Sequence, residues 1–265
     1  MASDILKEIA VKTKERITLE KAETPQRKLI ARCYAFSGIT KKSFYESLAK
    51  PGMSYICEVK KASPSKGLIA PHFPYLEIAK DYEKAGASAI SCLTEPFYFQ
   101  GADRYLREIA ENVSIPVLRK DFVVDEYMIY QAKLLGASAV LLICAILDDV
   151  QLKAYKQLAC ELGLDALVEA HDEHEVERAL KADARIVGVN NRDLRNFTID
   201  MNNSIRLRKM APSDVLFVSE SGIRTNEDIK LLYDNNVDAV LIGETLMRSS
   251  DKAKILEELN GAPLV

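Results

Sequence analysis

A chain of 265 residues with 48% hydrophobic side chains can bury one sizeable core, and its length suits a large α/β barrel of about 250 residues. Lys and Arg number 36 against 39 Asp and Glu, a formal net charge of −3, so nothing suggests a nucleic-acid backbone as partner. The longest apolar run, residues 137–147, contains polar Ser138 and is too short to span a bilayer, which leaves no membrane segment.

The start, Met1-Ala2-Ser3-Asp4, brings acidic charge early and no apolar stretch comes after it, so no signal peptide is expected. The five cysteines (Cys33, Cys57, Cys92, Cys144, Cys160) are odd in number and form no CxxC pair, and three lie in apolar runs. They read as free thiols, mostly buried, in a reducing compartment, and predict a soluble cytoplasmic protein.

Before Ser54 the spacing is helical. Residues 4–16 and 26–35 each show it, and residues 43–49 read as a third short helix. This extension, 1–53, is expected to cap the bottom of the fold built by residues 54–265. The alternative is that it covers part of a substrate mouth, with Thr24-Pro25 and Gly38 as hinges.

From Ser54 one unit repeats: a short apolar run, a polar loop, then an amphipathic helical stretch. The runs are 54–59, 89–93, 117–119, 139–143, 166–169, 186–190, 215–219 and 239–242. Near-continuous apolarity is what parallel strands covered on both faces require. The repeat also shows in letters. Lys84-Ala85-Gly86-Ala87-Ser88-Ala89 returns as Leu134-Leu135-Gly136-Ala137-Ser138-Ala139, with weaker echoes around Asp183 and Asn235-Asn236. Gly and Asn there suit a left-handed residue ending each helix. Eight βα units predict a closed (β/α)₈ TIM barrel, and residues 1–265 form a single domain. An open doubly wound sheet is the alternative, but it usually has fewer strands and a nucleotide-binding glycine loop that is missing here.

Active sites of such barrels lie at the C-terminal ends of the strands. The first run ends Glu58-Val59-Lys60, where alternation puts Glu58 and Lys60 on one face and Cys57 and Val59 on the other. The third ends in Arg119-Lys120-Asp121-Phe122, the fifth at Glu169, the sixth at Asn190-Asn191-Arg192. The seventh ends at Glu220-Ser221-Gly222 and the eighth at Ile242-Gly243-Glu244. Any one of these alone is explained by a rim salt bridge. Six strand ends carrying polar groups that converge point instead to acid–base chemistry, with lysines and glutamates perturbing one another.

Ser221-Gly222-Ile223 and Gly243-Glu244-Thr245 suggest a phosphate cradle of backbone N–H groups, with residues 244–248 as a short extra helix. Glu244 is awkward beside a phosphate, so its carboxylate is expected to point away, towards the helix dipole. His171 and His174 follow Glu169 at the start of a polar helix and lack further ligands. They read as a solvated face rather than a metal site. Asp148-Asp149 reads as a helix N-cap. Phe97, Tyr98 and Phe99 read either as loop packing or as a wall for an aromatic substrate.

Several of these segments resemble the indole-3-glycerol-phosphate synthases. They are Glu58 to Gly67 (EVKKASPSKG), Leu93-Thr94-Glu95 with Phe99-Gln100-Gly101, Leu118 to Phe122 (LRKDF) and Leu167-Val168-Glu169. Gly188 to Leu194 (GVNNRDL), Ser219 to Ile223 (SESGI) and Leu241 to Glu244 (LIGE) continue the match in order. The resemblance implies closure of the pyrrole ring of a carboxyphenylamino-deoxyribulose 5-phosphate with release of carbon dioxide and water. It implies Lys120 as the general acid at the ketose carbonyl, Glu169 as stabiliser of a cationic intermediate, and Glu58 with Lys60 for later proton transfers. Asn190 would bind a substrate hydroxyl and Glu220 would orient neighbouring groups. Arg192 would hold a substrate anion or hydroxyl. Ser63, Ser221, Gly222, Gly243 and Glu244 would contribute to the phosphate site, and Phe99 and Phe122 would pack on the anthranilate ring.

The reaction needs no metal or organic cofactor, and the partner expected is this small phosphorylated substrate, bound by a monomer. Two rivals remain. An isomerase acting on a related phosphorylated sugar would be expected to use a cysteine–aspartate pair rather than Glu-x-Lys. A catalytically silent barrel would be expected to have lost Lys120 or Glu169. The Gly, Ser and Pro content of residues 62–71 predicts a mobile lid after the first strand. Hydrogen exchange there should slow when a substrate analogue binds, and equal rates with and without analogue would remove the lid.

Overall fold

Apolar runs of four to six residues, each ended by a polar loop, assemble into eight parallel strands in this computed structural model. It describes residues 5–36, 42–193, 197–249 and 251–261; Asp4, Gly38 and Leu194 lie outside them. The strands are β1 (Ser54–Val59), β2 (Ala89–Leu93), β3 (Val117–Lys120), β4 (Ala139–Ile143), β5 (Asp165–Ala170), β6 (Ile186–Asn190), β7 (Leu216–Glu220) and β8 (Ala239–Ile242). Each pairs with its sequence neighbours, and β1 closes on β8 with Ser54 opposite Ala239 and Cys57 opposite Ile242. The closed barrel is therefore present and the open sheet is not. β3 and β7 run one residue further than the apolar pattern suggests. Lys120 sits opposite Leu93 and Glu220 opposite Asn190, so both charged residues are held in the ladder itself.

Alternation sorts the strand side chains into two layers. Ile56, Leu118, Leu141, Leu167, Ile186 and Val218 fill the barrel. Cys57, Val59, Ile90, Val140, Val187 and Phe217 point outward beneath the helices. The turns entering β2, β4, β6 and β8 follow the repeated letters: Gly86, Gly136, Asp183 and Asn236 all take positive φ, from 58° to 91°. Asp and Asn tolerate that region better than other non-glycine residues, which is why the echoes survive without glycine.

The helices in chain order are α1 (Ile5–Glu23), α2 (Gln26–Ala35), α3 (Phe44–Leu48), α4 (Tyr75–Lys84), α5 (Asp103–Asn112) and α6 (Tyr127–Leu134). They continue as α7 (Asp149–Glu161), α8 (Glu173–Lys181), α9 (Asn202–Arg208), α10 (Asn226–Asp234), α11 (Glu244–Arg248) and α12 (Lys252–Asn260). Asp148 caps α7 in a reciprocal capping box with Gln151, as its sequence suggested.

The extension does both jobs that its sequence left as alternatives, with different helices. α3 lies under the barrel: Phe44 and Leu48 enter the interior cluster, and the Tyr45 backbone N–H and Ser43 hydroxyl donate to Asp165 at the start of β5. α1 lies over the opposite end, where Ile5, Leu6 and Ile9 face a cavity at the strands' C-terminal ends. It also runs on to Glu23, well past residue 16, because tertiary contacts continue along it. Ile17 is buried, Arg16 reaches Asp121 and Lys21 reaches Asp125. At the junction with α2 the Tyr127 hydroxyl donates to the Thr24 carbonyl at 3.0 Å. No helix among the described residues is long and apolar enough to cross a membrane.

Candidate active site

The cavity at the C-terminal ends of the strands has a volume of about 580 Å³. It is lined by Glu58, Lys60, Ser63, Phe99, Lys120, Phe122, Glu169, Asn190, Arg192, Glu220, Ser221, Gly222, Gly243 and Glu244. All the residues to which the resemblance gave a role thus surround one space, while Arg119 and Asn191, also named at the strand ends, do not line it.

At its floor lies a charged cluster. The Lys120 ammonium is 3.2 Å from Glu169 Oε2 and 3.2 Å from Glu220 Oε2, and both carboxylates are only 2% exposed. Glu58 is paired with Lys60. Burial alone would disfavour every one of these charges. For Lys120 burial pulls downward, but Glu220, Glu169 and Glu58 outweigh it and hold the amine protonated, above its ordinary value. For Glu169 burial pushes upward, and Lys120, His171 and a hydrogen bond from Asn190 reverse that, leaving it ionised below its ordinary value. Glu220 goes the other way. Burial and the nearby Glu169 prevail over Lys120 and raise it to about 7, and its Oε1 is buried without a hydrogen-bond partner. Two carboxylates sharing one ammonium thus divide into a stronger and a weaker acid.

A raised carboxylate has two consequences of opposite sign. Its contribution to stability is full below the unfolded value of about 4.3 and is lost as pH rises through about 7. Ionised Glu220, in contrast, holds Lys120 best. We therefore expect kcat/KM to climb through a limb near pH 7 that is absent in Glu220→Gln, while the variant loses less stability across that limb. An unchanged limb in the variant would assign it to another group.

Two glycines that were not singled out for this purpose make the cluster possible. A Cβ on Gly188 would collide with Glu220 Oε1 and come within 3.1 Å of Leu167. A Cβ on Gly243 would collide with Glu58 Oε1 and lie 2.9 Å from Lys60 Nζ. Gly188 stood in the matching segment, but nothing local in the sequence says that its missing side chain is filled from the neighbouring strand.

The cavity's walls differ in character. On one side the Phe99 and Phe122 rings lie 5.9 Å apart at 37°, joined by Leu6 and Ile9 of α1 and by Leu141 and Ile143 of β4. Buried Glu95 shapes this wall by accepting the backbone N–H groups of Phe97, Tyr98 and Phe99 at 2.7–3.0 Å. Only Phe99 of the three loop aromatics faces the cavity. Phe97 is exposed and Tyr98 donates its hydroxyl to Glu8 of α1. The contribution of α1 escaped sequence reasoning because helical spacing reveals an apolar face but not what that face covers.

On the other side are cations and a bent backbone. Ser221 and Gly222 line the cavity with successive positive φ values of 68° and 93°. Arg192, Lys66 and Arg248 gather around the Glu244 carboxylate at 3.9, 3.5 and 3.1 Å. Glu244 thus does not turn away from the cavity towards the helix dipole. Side-chain cations reach it more closely than the weak, solvated helix end can compensate. Arg248 and Lys66 outweigh its burial and hold it below its ordinary value. Lys66 belongs to the loop after β1, where Ala62–Ser63 pairs antiparallel with Gly67–Leu68 and buried Ser63 faces the cavity.

His171 also departs from expectation. His174 is exposed, but the His171 side chain is only 20% exposed and lies between two carboxylates, 3.5 Å from Glu169 Oε1 and 3.1 Å from Glu175 Oε2. The bend that ends β5 turns it inward, which a polar local sequence conceals.

Comparison with known proteins agrees with this geometry. The family model described as indole-3-glycerol phosphate synthase matches residues 6–259. The indole-3-glycerol phosphate synthase of Ruminiclostridium cellulolyticum is 55% identical over 260 residues, 97% of this chain and 99% of that protein. That of Endomicrobium trichonymphae is 53% identical, covering 96% and 99%. Among solved structures, 3-hexulose-6-phosphate synthase from Salmonella typhimurium aligns with a TM-score of 0.64 at 15% identity, covering 79% of this chain and 97% of that one. Thiamine phosphate pyrophosphorylase from Pyrococcus furiosus gives 0.60 at 15%, covering 83% and 96%. At such identity these two share the barrel fold and no more.

Proposed function

The chain belongs to the indole-3-glycerol-phosphate synthase family, and on that premise we propose how its residues divide the reaction. The reaction is ring closure of 1-(2-carboxyphenylamino)-1-deoxy-D-ribulose 5-phosphate to indole-3-glycerol phosphate, with loss of carbon dioxide and water. The observation that carries the assignment is Lys120, a protonated amine held between Glu169 and Glu220 at the floor of a cavity with one aromatic and one cationic wall.

The anthranilate ring packs against Phe99 and Phe122, beneath Leu6 and Ile9. The phosphate lies at Ser221, Gly222, Gly243 and the Glu244 backbone N–H, with Ser63 alongside. The cations around Glu244 then face two anions instead of one, and Arg192 is placed to bind a substrate anion or hydroxyl. Asn190 binds a hydroxyl of the sugar chain. Held at both ends, the substrate brings its carboxylate-bearing ring carbon against the ketose carbonyl, so closure needs little further ordering.

As that bond forms, the carbonyl oxygen gathers charge, and Lys120 donates a proton to it. The ring acquires the compensating positive charge, which the ionised Glu169 carboxylate stabilises. Departure of carbon dioxide returns the electron pair to the ring. The new hydroxyl then leaves as water and a proton is lost to complete the indole, steps served by Lys60 and Glu58. Glu220 orients Lys120. Apolar walls keep the charges strong by excluding water.

The protein acts as a monomer of one domain, with α1 and α3 closing opposite ends of the barrel. Free thiols, four of them buried, support a reducing cytosol. Turnover is followed by indole fluorescence, against which a protein with no tryptophan contributes little signal. A rise on adding the substrate is expected. No rise from a folded sample would remove the assignment, and tight binding without turnover would favour a silent barrel.

A further inference from the structure

His171 has no part in that division of roles, yet its ring touches one of the groups that does. Three contacts fix the residue. Its backbone N–H donates to Glu175 Oε2 at 2.8 Å, its ring Nδ1 lies 3.1 Å from the same oxygen, and its carbonyl accepts from Asn203 of α9 at 3.0 Å. With Nδ1 committed to Glu175, the ring has one direction left. Nε2 is buried, has no hydrogen-bond partner, and faces Glu169 Oε1 at 3.5 Å.

A neutral imidazole carries one N–H and one lone pair. Whichever tautomer forms, a lone pair then confronts a carboxylate. Only the imidazolium presents N–H to both Glu175 and Glu169. Glu169 is therefore held from two sides: Oε2 by Lys120 and Oε1 by His171.

We propose that His171 is a positioning residue for ring closure: as an imidazolium linking Glu169 to Glu175, it keeps the Glu169 carboxylate ionised and oriented towards the reacting ring. This rests on the reading that Glu169 stabilises the cationic intermediate.

The surroundings agree. The ring faces Glu169 from β5, Glu175 from α8 and Glu220 from β7, with Lys120 of β3 beyond Glu169 and Cys144 and Arg178 beyond Glu175. Burial pulls the imidazolium down, but the Glu175 hydrogen bond and the charges of Glu169, Glu175 and Glu220 prevail and raise it above its ordinary value. Once His171 deprotonates, Glu169 loses a positive neighbour and the intermediate loses part of its counter-charge.

The chain has three histidines, so the His171 ring resonances can be assigned by difference with His171→Asn and titrated by NMR in the wild type. The midpoint is expected above about 6.5, and lower by about one pH unit in Glu169→Gln. His171→Asn should lower kcat about tenfold with KM changed less than about twofold, whereas His174→Asn should match the wild type. A ring neutral below about pH 6.5, a titration indifferent to Glu169→Gln, or wild-type kcat in His171→Asn would each overturn the proposal. Full kcat in Glu169→Gln would overturn it together with the reading beneath it. A damaged Glu169→Gln beside an inert His171→Asn overturns this proposal alone.

Discussion

Lys120→Ala is expected to lower kcat by about a thousandfold or more while leaving the barrel folded and KM within several-fold of the wild type. Among the described residues the lysine is the only ammonium placed between Glu169 and Glu220, at 3.2 Å from each. Its removal takes away the proton donor and leaves two buried carboxylates facing each other. Glu220, already raised to about 7, will then take up a proton and cease to be an anion at neutral pH. Substrate anchoring through Phe99, Phe122 and the β7 and β8 loops is untouched, which is why the loss should fall on kcat. Lys120→Arg should rescue little, because a planar guanidinium neither fits the space of an ammonium nor releases a proton at this pH. Single-turnover and steady-state indole fluorescence on purified variants would measure this. A variant that keeps more than about a tenth of wild-type kcat would remove Lys120 as the acid.

The second large effect falls on stability. Asp121→Ala should cost about 3–5 kcal/mol, the scale for breaking a buried ion pair from one side. The carboxylate is completely buried. It accepts both contacts from Arg16 at 3.0 and 3.1 Å, the Thr94 hydroxyl at 2.7 Å and the Phe122 N–H at 2.8 Å, with Arg119 at 3.6 Å. Arg119 is itself buried to 1% and keeps Asp103 as a partner, but Arg16 loses its main one. For Asp121 burial pushes upward, and Arg16 and Arg119 overcome it to hold the group below its ordinary value. A depressed carboxylate contributes stability above its unfolded value, about 3.9, and loses it as pH falls through the folded one. Wild type should therefore weaken in acid over a range where Asp121→Ala barely changes. Denaturant unfolding at neutral and acid pH tests both parts, and a cost under about 1 kcal/mol at neutral pH would mean that the arginines find other partners. Because Arg16 fastens α1, whose Leu6 and Ile9 cover the cavity, KM should rise as well.

The two effects fall on adjacent residues for a reason visible in the strand. Lys120 points into the barrel and Arg119 points outward to hold α5 and α6 through Asp103 and Met128, while Asp121, at the cavity's edge, holds α1 through Arg16. One short run thus serves both catalysis and the attachment of helices.

What the sequence by itself determined was whatever depends on near neighbours along the chain. Strand alternation placed Ile56 and Glu58 inward and Cys57 and Val59 outward. Repeated turn letters announced the left-handed residues at Gly86, Gly136, Asp183 and Asn236. Because every strand of a parallel barrel runs the same way, its eight C-terminal ends must converge, and so the polar strand ends could be gathered into one site before any distance was known.

Tertiary structure alone decided what depends on contacts between distant segments. It sent α1 to the mouth and α3 to the base, since an amphipathic helix specifies an apolar face but not its partner. It turned His171 from an exposed polar stretch into the space between Glu169 and Glu175, and it drew Glu244 to Lys66 and Arg192. It also made Gly188 and Gly243 room for Glu220 and Glu58. Charge and volume act through space, with strengths set by separation and burial, and neither quantity is written in the order of residues.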